Sequence, residues 1–96
     1  MVAAVDADRK AADDVPIYRI QTVSALTGVP ARRLRNWEDE YKLISPARTT
    51  GGHRLYSSRD VGLIRQIKHL VEDEGLSLLA VKAWLEANQV ESARPE

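Results

Sequence analysis

Glycine and proline residues divide the 96-residue chain into short segments. The breaks fall at Gly28 to Pro30, Pro46, Gly51-Gly52 and Gly75. Helix interiors disfavour both residue types, whereas glycine commonly follows a helix end and proline commonly opens the next helix. A chain of this length forms at most one small domain with a modest core. The sequence therefore predicts one domain of short helices with a tight hairpin.

Two short helices separated by a tight turn are predicted in the first half. The first covers residues 22–27, with Val23 and Leu26 on its apolar face, and ends at Gly28. The second covers residues 30–41, and its apolar positions at i, i+3 and i+7 share one face that we expect to be buried. These positions are Leu34, Trp37 and Tyr41. Two short helices joined by a glycine-containing turn form the helix-turn-helix pattern.

A small β-hairpin is predicted after the second helix. Residues 47–48 and 54–56 can pair as two strands around Gly51-Gly52, since paired glycines allow a tight hairpin tip. Residues 18–20 are a further extended segment and a candidate edge strand. Residues 42–46 form the connector between helix and hairpin.

Two longer helices are expected to close the domain. Ser57, with Asp60 three residues later, forms a capping-box pattern that starts the third helix. Ser77 starts the fourth, which is expected to end near Asn88. The predicted fold is mainly α: a winged helix-turn-helix over residues 17–88, with a small β-hairpin wing and a closing helix pair. Flanking segments are predicted as a disordered acidic leader, residues 1–16, and a disordered tail, residues 89–96.

A formal net charge of zero conceals an uneven distribution of charge. Residues 1–16 carry net −2 and residues 72–96 carry net −4. Residues 17–71 hold ten Lys and Arg against four Asp and Glu, a net charge of +6. A basic centre between acidic ends favours a polyanionic partner for the centre.

The basic side chains concentrate on the second helix and the hairpin. An arginine in the first turns of a helix can bind guanine O6 and N7 in the major groove, or clamp phosphates. The helix candidates lie opposite or beside its apolar face: Arg32, Arg33, Arg35 and Asn36. On the hairpin, His53 and Arg54 could donate to phosphates or to the minor groove.

Structural alternatives exist for the same residues. The helix arginines could form a solvated basic face with pairs such as Arg35 to Asp39. The hairpin arginine could pair with Glu38, and this pairing is compatible with a role in binding. Trp84 could be a core residue or could contact a partner from an exposed patch.

Several classes of function find no support in the sequence. Without cysteine there is no disulfide framework or thiolate metal site, and His53 and His69 lack ligand spacing, so no metal or cofactor is expected. No nucleophile elbow or phosphate-binding loop is present, which argues against an enzyme. No apolar run is long enough to span a membrane, and no signal-peptide pattern opens the chain, so a cytoplasmic protein is expected.

Seven motifs occur in an order that resembles a known family. They are Tyr18-Arg19-Ile20, Leu26–Val29, Leu34–Glu38, Leu43–Pro46, Arg48-Thr49, Gly51–Tyr56 and Gly75–Ser77. Over residues 17–86 they resemble the DNA-binding domain of the MerR family of bacterial transcription regulators. Asn36-Trp37-Glu38 is similar to the version in members with a cobalamin-binding, light-sensing domain. The wing and Glu72–Gly75 are similar to the heat-shock repressor branch.

The resemblance implies a repressor or activator bound to double-stranded promoter DNA in the nucleoid. The second helix would enter the major groove, and the wing would lie on the minor groove or on phosphates. The contact residues carried over are Arg19, Arg32, Arg33, Arg35, Asn36, His53, Arg54 and Tyr56. RNA polymerase is a further candidate partner. Family members dimerise through a long helix after the fourth, so self-association on DNA or through a C-terminal region absent from this chain is also implied.

A different class of function stays open at this point. The basic face, or the helix that carries Trp84, could instead dock another protein. The sequence then predicts a stable protein complex and no DNA binding at moderate salt.

Overall fold

The computed structural model describes the backbone of residues 13–93 and the side chains of residues 13–88. The predicted leader lies mostly outside these residues, as does the end of the predicted tail. The elements in order are β1 (Tyr18–Arg19), α1 (Ile20–Thr27), α2 (Ala31–Asp39), β2 (Ala47–Arg48), β3 (Arg54–Tyr56), α3 (Ser58–Glu72) and α4 (Leu78–Ala93). Within residues 13–93, no helix combines the length and apolar character needed to cross a bilayer.

Helix α1 begins at Ile20, two residues before its predicted start, and ends where predicted. Gly28 adopts a φ of 79°, and its N–H donates to the Ser24 carbonyl at 2.8 Å. The prediction that Leu26 faces the core was wrong, because its side chain is 46% exposed. Thr27 is buried instead, and its hydroxyl donates to the Val23 carbonyl at 2.8 Å.

Helix α2 is seated by the apolar face that its spacing predicted. Leu34 and Trp37 are buried, and Tyr41 packs against the core from the following turn. The helix ends at Asp39, so the prediction that it runs to Tyr41 was wrong. The chain turns at Lys42, which has a φ of 55°, and the Leu43 N–H donates to the Trp37 carbonyl at 2.8 Å. This turn brings Leu43 into the core.

The hairpin is confirmed with the predicted strand bounds, and a third strand joins it. The sheet is antiparallel with the order β1-β3-β2. Tyr18 pairs with Tyr56 and Arg48 pairs with Arg54. The predicted edge strand is therefore confirmed for Tyr18 and Arg19, and it fixes one side of the wing to the start of α1.

The closing helices begin at their predicted caps. The Ser57 hydroxyl accepts from the Asp60 N–H at 3.1 Å, and the Asp60 carboxylate accepts from the Ser57 N–H at 2.9 Å. The Ser77 hydroxyl accepts from the Ala80 N–H at 3.1 Å. Helix α4 continues to Ala93, so its predicted end near Asn88 was wrong.

One core joins all four helices and β3. Val23 of α1, Leu34 and Trp37 of α2, Tyr56 of β3 and Ile64 of α3 lie in the same buried cluster. Helix α1 packs on α2, α3 and β3, and α3 packs on α4. The architecture is thus the predicted mainly α winged helix-turn-helix with a closing helix pair. The core joins α2 to the base of the wing through Tyr56.

Loss of the α3 cap should measurably destabilise the domain. Ser57→Ala removes the acceptor for a backbone N–H and should lower the free energy of unfolding by about 0.5–2 kcal/mol. Urea unfolding followed by circular dichroism measures the change. Ser45→Ala, in the exposed connector, is the matched control and should have little effect. Equal stability of the two variants would show that the capping box does not stabilise α3.

Candidate nucleic-acid interface

Two arginines project from α2 without a partner among residues 13–88. Arg32 and Arg35 are exposed, and neither forms a hydrogen bond or ion pair with another residue in the described part of the chain. The alternative pair between Arg35 and Asp39 does not form; Asp39 instead lies 3.5 Å from Arg54. Asn36, on the next position, is half-buried. Both guanidinium groups are therefore available to a ligand.

Arg33 occupies the flank of α2 and has a partner. Its Nη1 donates to Oε2 of Glu72, at the end of α3, at 3.2 Å. The side chains are 46% and 41% exposed, so solvent screens the pair and it is weak. Arg33 can therefore exchange this carboxylate for another anion at little cost.

The wing tip has the geometry of a three-residue hairpin loop. The Gly52 N–H donates to the Thr49 carbonyl at 2.9 Å, and Gly52 has a φ of 86°. A type I turn followed by one left-handed residue is typical of such loops. The Thr49 N–H donates to the His53 carbonyl at 2.9 Å, and the His53 N–H donates to the Thr49 hydroxyl at 3.2 Å. The tip is therefore internally ordered, and the His53 side chain is exposed beside it.

One carboxylate on α2 binds an arginine from each strand of the wing. Arg54 Nε donates to Glu38 Oε1, and Arg48 Nη2 donates to Glu38 Oε2 at 2.9 Å. The side chains of Glu38 and Arg54 are only 15% and 17% exposed. The hydrogen bond that Arg54 donates to Glu38 raises the pKa of Arg54, so this guanidinium stays charged at any ordinary pH. The predicted pairing of a hairpin arginine with Glu38 is confirmed.

An open groove of about 290 Å³ joins three elements of the predicted interface. Its lining includes Arg19 of β1, Arg35 of α2, and His53 and Arg54 of the wing. The structure thus brings together four of the residues predicted to contact DNA. Gln21 also lines the groove, and no feature of the sequence distinguished it from other polar residues.

Tyr56 has no exposed surface, which contradicts its predicted role as a wing contact. Its ring lies in the core, and its hydroxyl has no hydrogen-bond partner in the described part of the chain. Burial raises the pKa of Tyr56, so the phenol stays neutral. Tyr56 therefore anchors β3 to the core and does not form part of the interface.

The two glycines of the wing tip should differ in their tolerance of a side chain. A Cβ added at Gly52 would meet no atom within 4 Å, but a residue at this position must keep a positive φ. Gly51 does not have a positive φ, and a Cβ added there would make ordinary van der Waals contacts. Gly52→Ala should therefore cost about 1–2 kcal/mol of stability or loosen the tip, and Gly51→Ala should cost clearly less. Thermal unfolding and amide exchange at Thr49 measure both effects. Equal behaviour of the two variants would contradict the loop geometry.

Comparison with known proteins assigns the fold and the family. The family model described as MerR HTH family regulatory protein matches residues 18–88. The heat shock protein HspR of Streptomyces coelicolor is 42% identical over 79 residues, which are 81% of this chain and 52% of HspR. The transcriptional regulator GlnR of Bacillus anthracis is 39% identical over 91% of this chain and 65% of GlnR. The transcriptional repressor CarH of Myxococcus xanthus is 41% identical over 64% of this chain and 20% of CarH.

Two solved structures share the architecture. HiNmlR, a MerR family regulator lacking the sensor domain and bound to promoter DNA, aligns with a TM-score of 0.68 at 23% identity, over 76% of this chain and 55% of HiNmlR. A MerR family transcriptional regulator from Bacillus cereus aligns with a TM-score of 0.64 at 28% identity. The alignment covers 71% of this chain and 50% of the Bacillus cereus chain. The chain spans between a fifth and two thirds of the relatives named above. The match to the family model over most of its length shows that the chain belongs to the MerR HTH family of regulatory proteins.

Proposed function

We propose that this chain binds double-stranded promoter DNA in a sequence-specific manner, as the whole or a part of a bacterial transcription regulator. The observation that carries the proposal is the position of Arg32 and Arg35, which are exposed on α2 and have no partner among the described residues, beside a cationic groove shared with the wing. Promoter DNA is the ligand of HiNmlR, which has the same architecture. The names of GlnR and CarH describe a transcriptional regulator and a repressor.

In this proposal α2 is the recognition helix and lies in the major groove. Arg32 and Arg35 are three residues apart and so lie on neighbouring turns of one helix face, from which both can reach base edges. Asn36 is half-buried and would contact adenine or a phosphate beside them. Arg33 lies on the flank, where a phosphate would replace Glu72 as its partner.

The groove between α1, α2 and the wing would bind the sugar-phosphate backbone. Arg19 has no ion pair in the described part of the chain, and His53 is exposed at the wing tip. In this proposal they would donate to phosphate oxygens or to the edge of the minor groove. Arg54 lines the same groove, but Glu38 already neutralises much of its charge.

A protein-docking function is the second candidate, and one observation favours it. Trp84 is 38% exposed and Leu79 is 69% exposed on the last helix, so α4 leaves large apolar side chains uncovered. Such a surface is typical of a contact with another protein. A gel shift with the DNA upstream of the chain's own gene distinguishes the two candidates. A specific shift supports DNA binding, whereas a stable protein complex without any shift supports docking.

The remaining expectations from the sequence stay predictions. They concern contact with RNA polymerase, self-association, a cytoplasmic location, and the absence of a cofactor, a metal and an enzymatic activity. The relatives are named as regulators, which agrees with a non-enzymatic role.

Removal of either free arginine should weaken specific binding. Arg32→Ala and Arg35→Ala should each lose about 1–3 kcal/mol of binding free energy if the side chain reads a base, and should reduce discrimination at that base pair. Fluorescence anisotropy with the upstream promoter DNA and with single-base variants measures both effects.

The matched control is Arg59→Ala, which removes one exposed arginine from a separate groove beside Trp84. This variant should bind specific DNA nearly as well as the parent chain. Unchanged affinity in both Arg32→Ala and Arg35→Ala would exclude α2 as the recognition helix.

A phosphate contact at Arg19 should be visible in the salt dependence of binding. Arg19→Ala should weaken binding to all sequences alike and reduce the slope of log K against log salt by about 0.9, because one fewer counterion is released. Anisotropy titrations over a salt series measure the slope. A slope equal to that of the parent chain would place Arg19 outside the interface.

A further inference from the structure

We propose that Glu38 is a positioning residue that fastens the wing to the recognition helix, so that α2 and the wing contact DNA as one rigid unit. This inference rests on the proposed DNA-binding function. It also assigns Arg54 and Arg48 a different task from that of Arg32 and Arg35. The wing arginines hold the wing in place, and the free helix arginines contact DNA.

Glu38 binds both strands of the wing, and we call this pair of contacts with Arg48 and Arg54 the tie. Glu38 lies in the last turn of α2, and each carboxylate oxygen accepts from a different strand of the wing. Oε1 accepts from Arg54 on β3, and Oε2 accepts from Arg48 on β2 at 2.9 Å. A single side chain therefore fixes both strands to the helix. The tie reaches the tip as well, because Arg48 Nη1 donates to the Gly52 carbonyl at 3.2 Å.

Burial separates the pair of Arg54 with Glu38 from an ordinary surface ion pair, whereas the Arg48 side chain is 45% exposed. Exposed pairs contribute little, since solvent screens them and both long side chains lose entropy. The side chains of Glu38 and Arg54 are only 15% and 17% exposed, and Asp39 lies 3.5 Å from the same guanidinium. Hydrogen bonds between charged groups with little solvent contact are among the strongest hydrogen bonds in proteins. Arg54 is thus directed toward α2, while Arg35 on the same groove has no described partner.

The tie is useful because the wing has few other contacts with α2. The wing joins the rest of the domain through β1 and through the buried Tyr56 at the base of β3. The tip, at Gly51 and Gly52, is exposed. Ordering a loop at the moment of binding costs affinity, and a preformed arrangement avoids that cost. Glu38 provides that arrangement before DNA arrives.

Replacing Glu38 distinguishes positioning from simple electrostatics, because the two predict opposite signs. Glu38→Gln removes one negative charge close to the DNA, so electrostatics alone predicts tighter binding. Positioning predicts weaker binding by about tenfold, since the amide cannot hold two guanidinium groups and the wing must be ordered on binding. The slope against salt should stay that of the parent chain, because no phosphate contact is lost.

The experiment uses the full chain with the upstream promoter DNA, and it measures affinity, salt slope and amide exchange. Glu38→Gln should accelerate exchange at Thr49 and Gly52, whose N–H groups bond within the wing, and leave the α3 amides unchanged. Glu38→Asp has too short a side chain to reach both arginines and should be intermediate. Glu40→Gln, an exposed carboxylate at the end of α2, is the charge-matched control and should bind at least as tightly as the parent chain.

The double variant with Arg54→Gln completes the test. If Arg54 acts through Glu38, the double variant should bind DNA with the same affinity as the single variant that binds less tightly. Arg54→Gln alone should keep the salt slope of the parent chain. The inference is overturned if Glu38→Gln binds like Glu40→Gln. It is also overturned if Arg54→Gln lowers the slope by about 0.9 and its effect adds to that of Glu38→Gln. Failure of the proposed function looks different, because the parent chain itself would then show no specific shift.

Discussion

The burial of one face of α2 is the constraint on which the rest of the structure depends. Leu34 and Trp37 lie in the same core as Val23 of α1 and Ile64 of α3, so the helix cannot rotate about its axis without exposing its largest side chain. A helix has 3.6 residues per turn, so this burial also directs Arg32 and Arg35 outward. The exposure of the two free arginines is thus a consequence of core packing. Glu38 follows Trp37 directly, so the same packing fixes where the wing is held.

Local signals in the sequence predicted most helix and strand bounds, and they failed where a tertiary contact competed with them. Gly28 and the Ser57–Asp60 cap act on neighbouring backbone groups, so the chain itself contains the information. Leu26 and Thr27 are adjacent, and periodicity alone favours burying the leucine. The structure buries Thr27, whose hydroxyl is satisfied by a carbonyl one turn earlier. Helix α4 passes its predicted end at Asn88 because its later residues are mostly good helix formers and Pro95 is the first breaker.

The candidate site was predictable as a set of residue types but not as a set of roles. Arg33 and Arg54 look like Arg32 and Arg35 in the sequence, yet they pair with carboxylates 39 and 16 residues away. The pairing of Arg54 with Glu38 was one alternative that the sequence suggested. The pairing of Arg33 with Glu72 depends on the fold, and no spacing rule along one helix reveals it. Tyr56 also has a role that the sequence did not predict. Its motif suggested a contact, but the alternation along β3 directs its ring into the core.

These pairings also change the meaning of the basic centre. Its net charge of +6 would suggest a diffuse attraction for any polyanion. In the fold, Glu38 and Asp39 neutralise the wing arginines, and Glu72 lies against Arg33. Arg19, Arg32 and Arg35 have no described carboxylate partner, and Arg19 and Arg35 line one groove. A field confined to a few groups orients a duplex better than the same charge spread over a surface. In the proposed function, these intramolecular ion pairs leave Arg19, Arg32 and Arg35 as the arginines that would orient the DNA, because the paired arginines attract it less.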